Sequence, residues 1–314
     1  VVVKVRSCGI CGSDLHFYSG GFPPPAVCPG HEISGEIAAL GSEVRGFQLG
    51  DRVAVEPLVV CRECPCCRTG NYQLCRNLQV LGNMRDGGFA EALLTPAYTL
   101  FPLPDAVDFE VGALAEPLAV AVHAVRIGGV RLGDRVLVQG AGTIGLMGVA
   151  AAVAAGAADV WITARHPQQA AAARRLGATR IFAGDAAALD LAAAAGEQRI
   201  DVVLETVGGS ADTLSEAVQV VGPGGSVVVL GIFTSLPAIN PLLLVLHEVR
   251  IIGALTYGRH SGRADFDIAL QLLAANPRRF HELITHRFPL VEIARGFETA
   301  ANKRSGAIKV AIGG

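Results

Sequence analysis

Val136-Leu137-Val138-Gln139-Gly140-Ala141-Gly142-Thr143-Ile144-Gly145 is a strand-like apolar run followed at once by glycines at the spacing G-x-G-x-x-G. Alone, that spacing says little. Here an Ala-rich, helix-like stretch over residues 143–155 follows it, and strand, glycine turn and helix together make a phosphate-binding element. Gly140 permits the tight turn, Gly142 lets the backbone approach a pyrophosphate, and Gly145 allows the helix to pack close to the strand. The free N–H groups at the start of such a helix face anionic oxygens. The segment predicts a dinucleotide site formed by Gly140, Gly142, Ile144 and Gly145.

Outward from this motif, short β-branched runs alternate with Ala-rich ones. Arg135–Gln139, 159–163, Ile200–Glu205 and 226–230 read as strands, and 143–155, Pro167–Leu176 and 211–220 read as helices. A further strand is expected near 251–254. Such alternation predicts an α/β domain, a doubly wound parallel sheet with helices on both faces. The end of the second strand selects the cofactor, because an acid there accepts hydrogen bonds from the ribose 2′-hydroxyl of NAD. Residues 159–166 read Asp-Val-Trp-Ile-Thr-Ala-Arg-His, so Ala164 stands at the acid's place and Arg165 follows. Ala removes the repulsion a carboxylate would exert on a 2′-phosphate, and Arg165 can pair with that phosphate through two N–H groups. NADP is therefore expected to be favoured, with NAD possible.

The 314 residues suffice for two domains, and 51% of them are apolar, enough for a large core. Residues 136–158 and 217–247 lack Asp, Glu, Lys and Arg, but glycines break both and prolines break the second, so they read as buried strand–turn–helix segments rather than membrane spans. The net charge of −2 comes without a basic patch, which argues against a nucleic-acid partner. The sequence opens on Val1-Val2-Val3-Lys4-Val5 without Met, and its N-terminus reads as truncated. Before about Arg135 the texture is short apolar runs among Gly and Pro, expected to form an irregular β-rich domain.

All eight cysteines lie at or before position 75. In a chain this large, close cysteine spacing favours metal binding in a reducing, cytoplasmic setting over a disulfide framework. Cys61, Cys64, Cys67 and Cys75 form C-x2-C-x2-C-x7-C, which suits a tetrahedral zinc with no open position and hence a structural role. Cys66 is an extra beside that set. A second set of metal-binding residue types lies upstream in Cys11-Gly12-Ser13-Asp14-Leu15-His16 and Gly30-His31-Glu32. A catalytic zinc needs a few such ligands and one exchangeable position, and Cys11, His31 and Glu32 supply ligands of the right kind.

The run Gly30-His31-Glu32-x2-Gly35-x5-Gly41-x2-Val44, together with the four-cysteine lobe, resembles the zinc-dependent medium-chain dehydrogenase/reductase family over essentially the whole chain. With no cysteine after Cys75 and with Glu116-Pro117-Leu118 downstream, the resemblance is to the branch holding sorbitol, other polyol and L-threonine dehydrogenases. It implies a GroES-like catalytic domain over residues 1–117, a Rossmann domain over 118–254, and a return segment over 255–314. It implies a catalytic zinc on Cys11, His31 and Glu32, with Glu116 binding directly or exchanging with water, and a second, structural zinc on the lobe. It also implies a proton relay through Ser13 and His16, with Asp14 orienting a ligand. A small-molecule alcohol or ketone substrate and a homodimer or homotetramer follow from the same likeness. Leu255-Thr256-Tyr257-Gly258-Arg259 keeps the Tyr of the sorbitol enzymes' Arg-Tyr pair but not its Arg, so a polyol-like or amino-alcohol secondary alcohol is the expected substrate class. Phe17, Tyr18, Phe22 and Phe89 are candidates for its pocket. Two rival readings are a zinc-free quinone or enone reductase on the same fold, and a non-catalytic cofactor-binding protein or inactive fragment.

Overall fold

A computed structural model describes residues 1–186, 188–196 and 199–313. The chain divides into two compact units, one of Val1–Ala119 with Gly258–Gly314 and one of Val120–Tyr257. Among the described residues, no helix is long and apolar enough to cross a membrane.

The first unit is built on a seven-stranded sheet. Its spatial order runs Ile284–Phe288, Lys309–Gly313, Val2–Gly9, Glu32–Ala39, Arg52–Val55 and Leu100–Pro102, with Ala92–Leu94 also pairing with Val2–Gly9. Only the Ile284–Phe288 and Lys309–Gly313 pair is parallel. One face carries Val3, Val5, Cys8, Ile33, Val53, Leu93 and Ile312, all nearly excluded from water, and the amphipathic helix Ile293–Ala301 covers part of it with Phe297 and Ala300. Register decides the chemistry here. Gly9 pairs with Glu32 on one side and with Ala311 on the other, so Glu32 and the start of Lys309–Gly313 flank a position that bears no side chain.

The second unit is a six-stranded, all-parallel sheet ordered Arg180–Ala183, Asp159–Ala164, Arg135–Gln139, Ile200–Glu205, Val221–Val229, Arg250–Gly253. This is the doubly wound order 3-2-1-4-5-6, in which ligands bind outside the carboxyl ends where the order reverses. The strands are apolar on both faces: Leu137, Trp161, Val203 and Val227 are buried against helices such as Thr213–Val220. The expected strands and helices occur within a few residues of their expected ends, and Arg180–Ala183 and Ala188–Ala195 are additional. The two charge-free stretches resolve into strands and helices of this sheet.

Candidate functional site

Local chain geometry assembles the cysteine lobe. Cys64 caps the short helix Pro65–Arg68, whose first-turn proline needs no hydrogen-bond partner, and Cys75 follows the 3-10 turn Tyr72–Leu74. The sulfurs of Cys61, Cys64, Cys67 and Cys75 lie within 4.8 Å of one another, and Cys66 is not among them. Backbone N–H groups point at these sulfurs: Cys64 donates to Cys61 at 3.4 Å, Cys61 to Cys75 at 3.5 Å, and Asn77 to Cys75 at 3.4 Å. Hydrogen bonding from the Cys67 backbone pulls the Cys64 thiol down to about 6. Burial and the neighbouring thiols push Cys67 up to about 12. Four converging sulfurs with N–H donors around them fit a closed tetrahedral zinc site.

The second set is held by the central strands of the same unit. Cys11 stands at the N-cap of the helix Gly12–Tyr18, and its backbone N–H donates to the buried Asp14 carboxylate at 2.9 Å. The other Asp14 oxygen lies 3.8 Å from His31 Nδ1. Asp14 thus holds the Cys11 loop by a hydrogen bond and faces the His31 ring beyond hydrogen-bond distance. Burial pulls the His31 pKa down, but the Cys11 thiolate, a hydrogen bond that the ring donates to the Cys11 sulfur, and the Asp14 and Glu116 carboxylates outweigh it and hold the pKa well above the ordinary histidine value. Glu116 lies in the first turn of the helix Ala115–Gly128 and is nearly excluded from water. Burial pushes its carboxyl up to about 7, against the pull of His31. Cys11 and Glu116 thus both act on His31 electrostatically, although the three are not among the described groups whose ligand atoms all lie within 4.8 Å of one another.

Glu32 faces differently. Its two carboxylate oxygens accept from Lys309 Nζ at 2.6 and 2.7 Å, and the same ammonium donates to the Ile10 carbonyl at 3.0 Å. Both side chains are buried, 1% exposed for Glu32 and 3% for Lys309. A Cβ on Gly9 would stand 1.9 Å from Glu32 Oε2, so the glycine makes the space this carboxylate occupies. Lys309 was not singled out from the sequence. No local pattern marks it, because its partner is 277 residues away. Ser13 and His16 sit on the helix Gly12–Tyr18, both half-buried, with the His16 ring edge-on to Phe22 at 5.6 Å.

A further buried carboxyl, also absent from the sequence reading, is Glu56. It is hydrogen-bonded by the Tyr72 hydroxyl, and burial pushes its pKa up to about 8, with Arg259 opposing. Of the aromatic candidates, Phe89 is in the core and packs on Phe297 at 5.6 Å. Tyr18 is 52% and Phe22 38% exposed. Tyr257 is fully buried in the other unit.

In that other unit the glycine motif takes the expected form. Gly140 has φ 92°, a left-handed conformation open to glycine, and its N–H donates to Thr163 Oγ1 at 2.9 Å. A Cβ on Gly145 would stand 1.8 Å from the Gly140 carbonyl oxygen, while one on Gly142 would meet nothing within 4 Å. Gly145 serves packing, and Gly142 leaves the approach to the helix Thr143–Ala154 clear. At the end of the adjacent strand, Glu205 Oε1 accepts from the N–H groups of Val207 and Gly208 at 2.8 and 2.9 Å and from the Thr213 hydroxyl at 2.8 Å. This buried carboxylate fixes the loop beside the glycine turn. Ala164 ends the strand Asp159–Ala164, and Arg165 stands exposed just beyond it. Arg165 makes no hydrogen bond or ion pair with any described residue.

Residues 1–105 match the family model described as the alcohol dehydrogenase GroES-like domain, and residues 143–275 match that of the zinc-binding dehydrogenases. The chain is 33% identical to sorbitol dehydrogenase of Bacillus subtilis, covering 99% of this chain and 89% of that one. It is 34% identical to L-threonine 3-dehydrogenase of Aeromonas salmonicida, covering 98% and 90%. Its fold is similar, with a TM-score of 0.90, 34% identity and coverage of 100% and 92%, to a Sinorhizobium meliloti chain titled a zinc-binding dehydrogenase and solved bound to NADP.

Proposed function

The chain belongs to the zinc-dependent medium-chain dehydrogenase/reductase family and is an oxidoreductase, and on that footing we propose that it transfers hydride between NADP and a secondary alcohol of polyol-like or amino-alcohol type. The observation that carries the metal part is the buried Asp14 carboxylate between Cys11 and His31, 2.9 Å from the Cys11 backbone nitrogen and 3.8 Å from His31 Nδ1, with Cys11 and Glu116 both acting on the His31 ring. Cys11 and His31 would hold the catalytic zinc. Glu116 would join them directly or by exchange with water, and Glu32 would do so only by giving up Lys309. Cys61, Cys64, Cys67 and Cys75 would hold the structural zinc, giving two per chain.

A bound zinc lowers the pKa of a coordinated hydroxyl, as it lowers that of water from 15.7 to about 7. The protein's own residues supply the rest. Asp14, 3.8 Å from His31 Nδ1, would favour the charge on that ring electrostatically. Ser13 Oγ would accept the proton of the substrate hydroxyl as it gives up its own, and the half-buried His16 ring would deliver a proton to solvent. The oxidised nicotinamide, when bound, would accept the hydride of the carbinol carbon and so yield a ketone, the reverse reaction reducing that ketone. Polar substrates are favoured by the named relatives, which act on sorbitol and on L-threonine. Arg165, exposed and without a protein partner at the end of its strand, favours NADP by pairing with the 2′-phosphate. Cytoplasmic residence and homodimeric or homotetrameric assembly belong to the same reading.

The test is a screen of polyols, amino alcohols and simple alcohols with both cofactors, run alongside zinc quantification. Turnover of a polar secondary alcohol at two zinc per chain, with kcat/KM higher for NADP than for NAD, is expected. Equal or better efficiency with NAD would overturn the cofactor assignment, and turnover without zinc would overturn the metal assignment in favour of a zinc-free reductase.

A further inference from the structure

The strand Arg180–Ala183 runs parallel to Asp159–Ala164, with Ala183 paired to Ala164. One residue beyond each, Gly184 therefore lies beside Arg165. A Cβ built on Gly184 would stand 2.2 Å from Arg165 Cγ and 3.1 Å from both its Cα and its backbone N. The Cγ atom lies near the root of the side chain, so no rotation farther out relieves that contact. Arg165 would have to leave its χ1 well, carrying the guanidinium to another place, or the strand end would have to shift. The φ of Gly184 is not in the left-handed region. Glycine is thus not needed there for the turn itself, and what its missing side chain provides is room for Arg165.

We propose that Gly184 is a specificity-determining position for the cofactor: by having no side chain it holds open the one pose in which Arg165 extends along the carboxyl edge of the sheet toward the 2′-phosphate. This rests on the assignment of Arg165 to that phosphate. Gly184 contacts no cofactor atom on this account and acts by positioning Arg165. Arg165 is exposed and makes no hydrogen bond or ion pair with a described residue, so no polar partner in the protein competes with Gly184 in setting its direction. A small residue in place of Gly184 is then expected to convert an NADP-selective site into an indifferent one while leaving NAD binding alone.

Dissociation constants for NADP and NAD, measured by fluorescence titration on wild type, Arg165→Ala, Gly184→Ala and the double variant, test this. Arg165→Ala should weaken NADP on the order of ten-fold or more, the worth of a charged hydrogen bond, and leave NAD within about two-fold. Gly184→Ala should do the same, and adding it to Arg165→Ala should cost NADP nothing further, the mark of two residues acting through one interaction. If Arg165→Ala is selective for NADP and Gly184→Ala is not, or if Gly184→Ala weakens both cofactors alike, the role of Gly184 is overturned. If Arg165→Ala itself shows no selectivity, the phosphate assignment beneath it fails instead. Circular dichroism of Gly184→Ala, unchanged from wild type on this account, separates a displaced arginine from a disturbed sheet.

Discussion

At the scale of single residues, charge burial dominates. Both members of the Lys309–Glu32 pair are buried in the first unit. Removing one partner leaves a buried charge uncompensated, which typically costs about 3–5 kcal/mol. Lys309→Met keeps the volume and loses the charge, so urea denaturation should show a loss of that order, and a loss below about 1 kcal/mol would mean the pair is not closed in solution. Glu56 makes the opposite kind of prediction. Its folded pKa is raised to about 8 from the ordinary 4.5. Between those values the unfolded chain releases the proton and the folded chain keeps it. The contribution to stability is therefore full below about 4.5 and lost as pH rises through about 8. Glu56→Gln should remove that part of the slope, so the difference in melting temperature between wild type and variant shifts in favour of the variant from pH 5 to pH 8.5. A difference that stays constant over this range would show Glu56 to be ionised throughout. Neither residue was legible in the sequence. Glu56 reads as one acid after a strand, and its environment comes from Tyr72 and Arg259, far along the chain. Lys309 reads as one cation in a C-terminal run. Burial of a charge is a long-range property, and spacing carries no trace of it.

At the scale of elements, what could be read locally was read. The strand, glycine turn and helix over residues 135–154 follow from demands a few residues long, namely a left-handed Gly140 and a Gly145 too close to a carbonyl for any side chain. The lobe is similar, since C-x2-C-x2-C-x7-C places four sulfurs together through one helical turn and one 3-10 turn. The short strand Arg180–Ala183 escaped because four residues give no period, and with it went the pairing that sets Gly184 beside Arg165. For the lobe, Cys67→Ser should lower zinc content from two to about one per chain and lower the melting temperature, because a metal that binds only the folded state stabilises it. Unchanged zinc and an unchanged melting temperature would defeat the structural-site assignment.

At the scale of the whole molecule, the residues proposed to bind metal and the glycine motif fall in different compact units. The first unit is closed by a segment that returns after the second, so Lys309 reaches Glu32 only once the entire chain has been made. That the second unit is a parallel sheet was readable as an alternation of strands and helices, although its edge strand Arg180–Ala183 was not, whereas the discontinuous first unit required the family likeness. The division has a functional consequence: damage to the metal site should leave cofactor binding intact. The central claim, that a thiolate-held metal in the first unit performs the chemistry, is tested most directly by steady-state turnover of Cys11→Ala with NADP and the best alcohol from the screen, beside a titration of NADP binding. The account predicts a kcat reduced by at least about a thousand-fold with the NADP dissociation constant within about two-fold of wild type, as loss of a residue acting with others in one catalytic unit gives. A Cys11→Ala enzyme with normal kcat would contradict it.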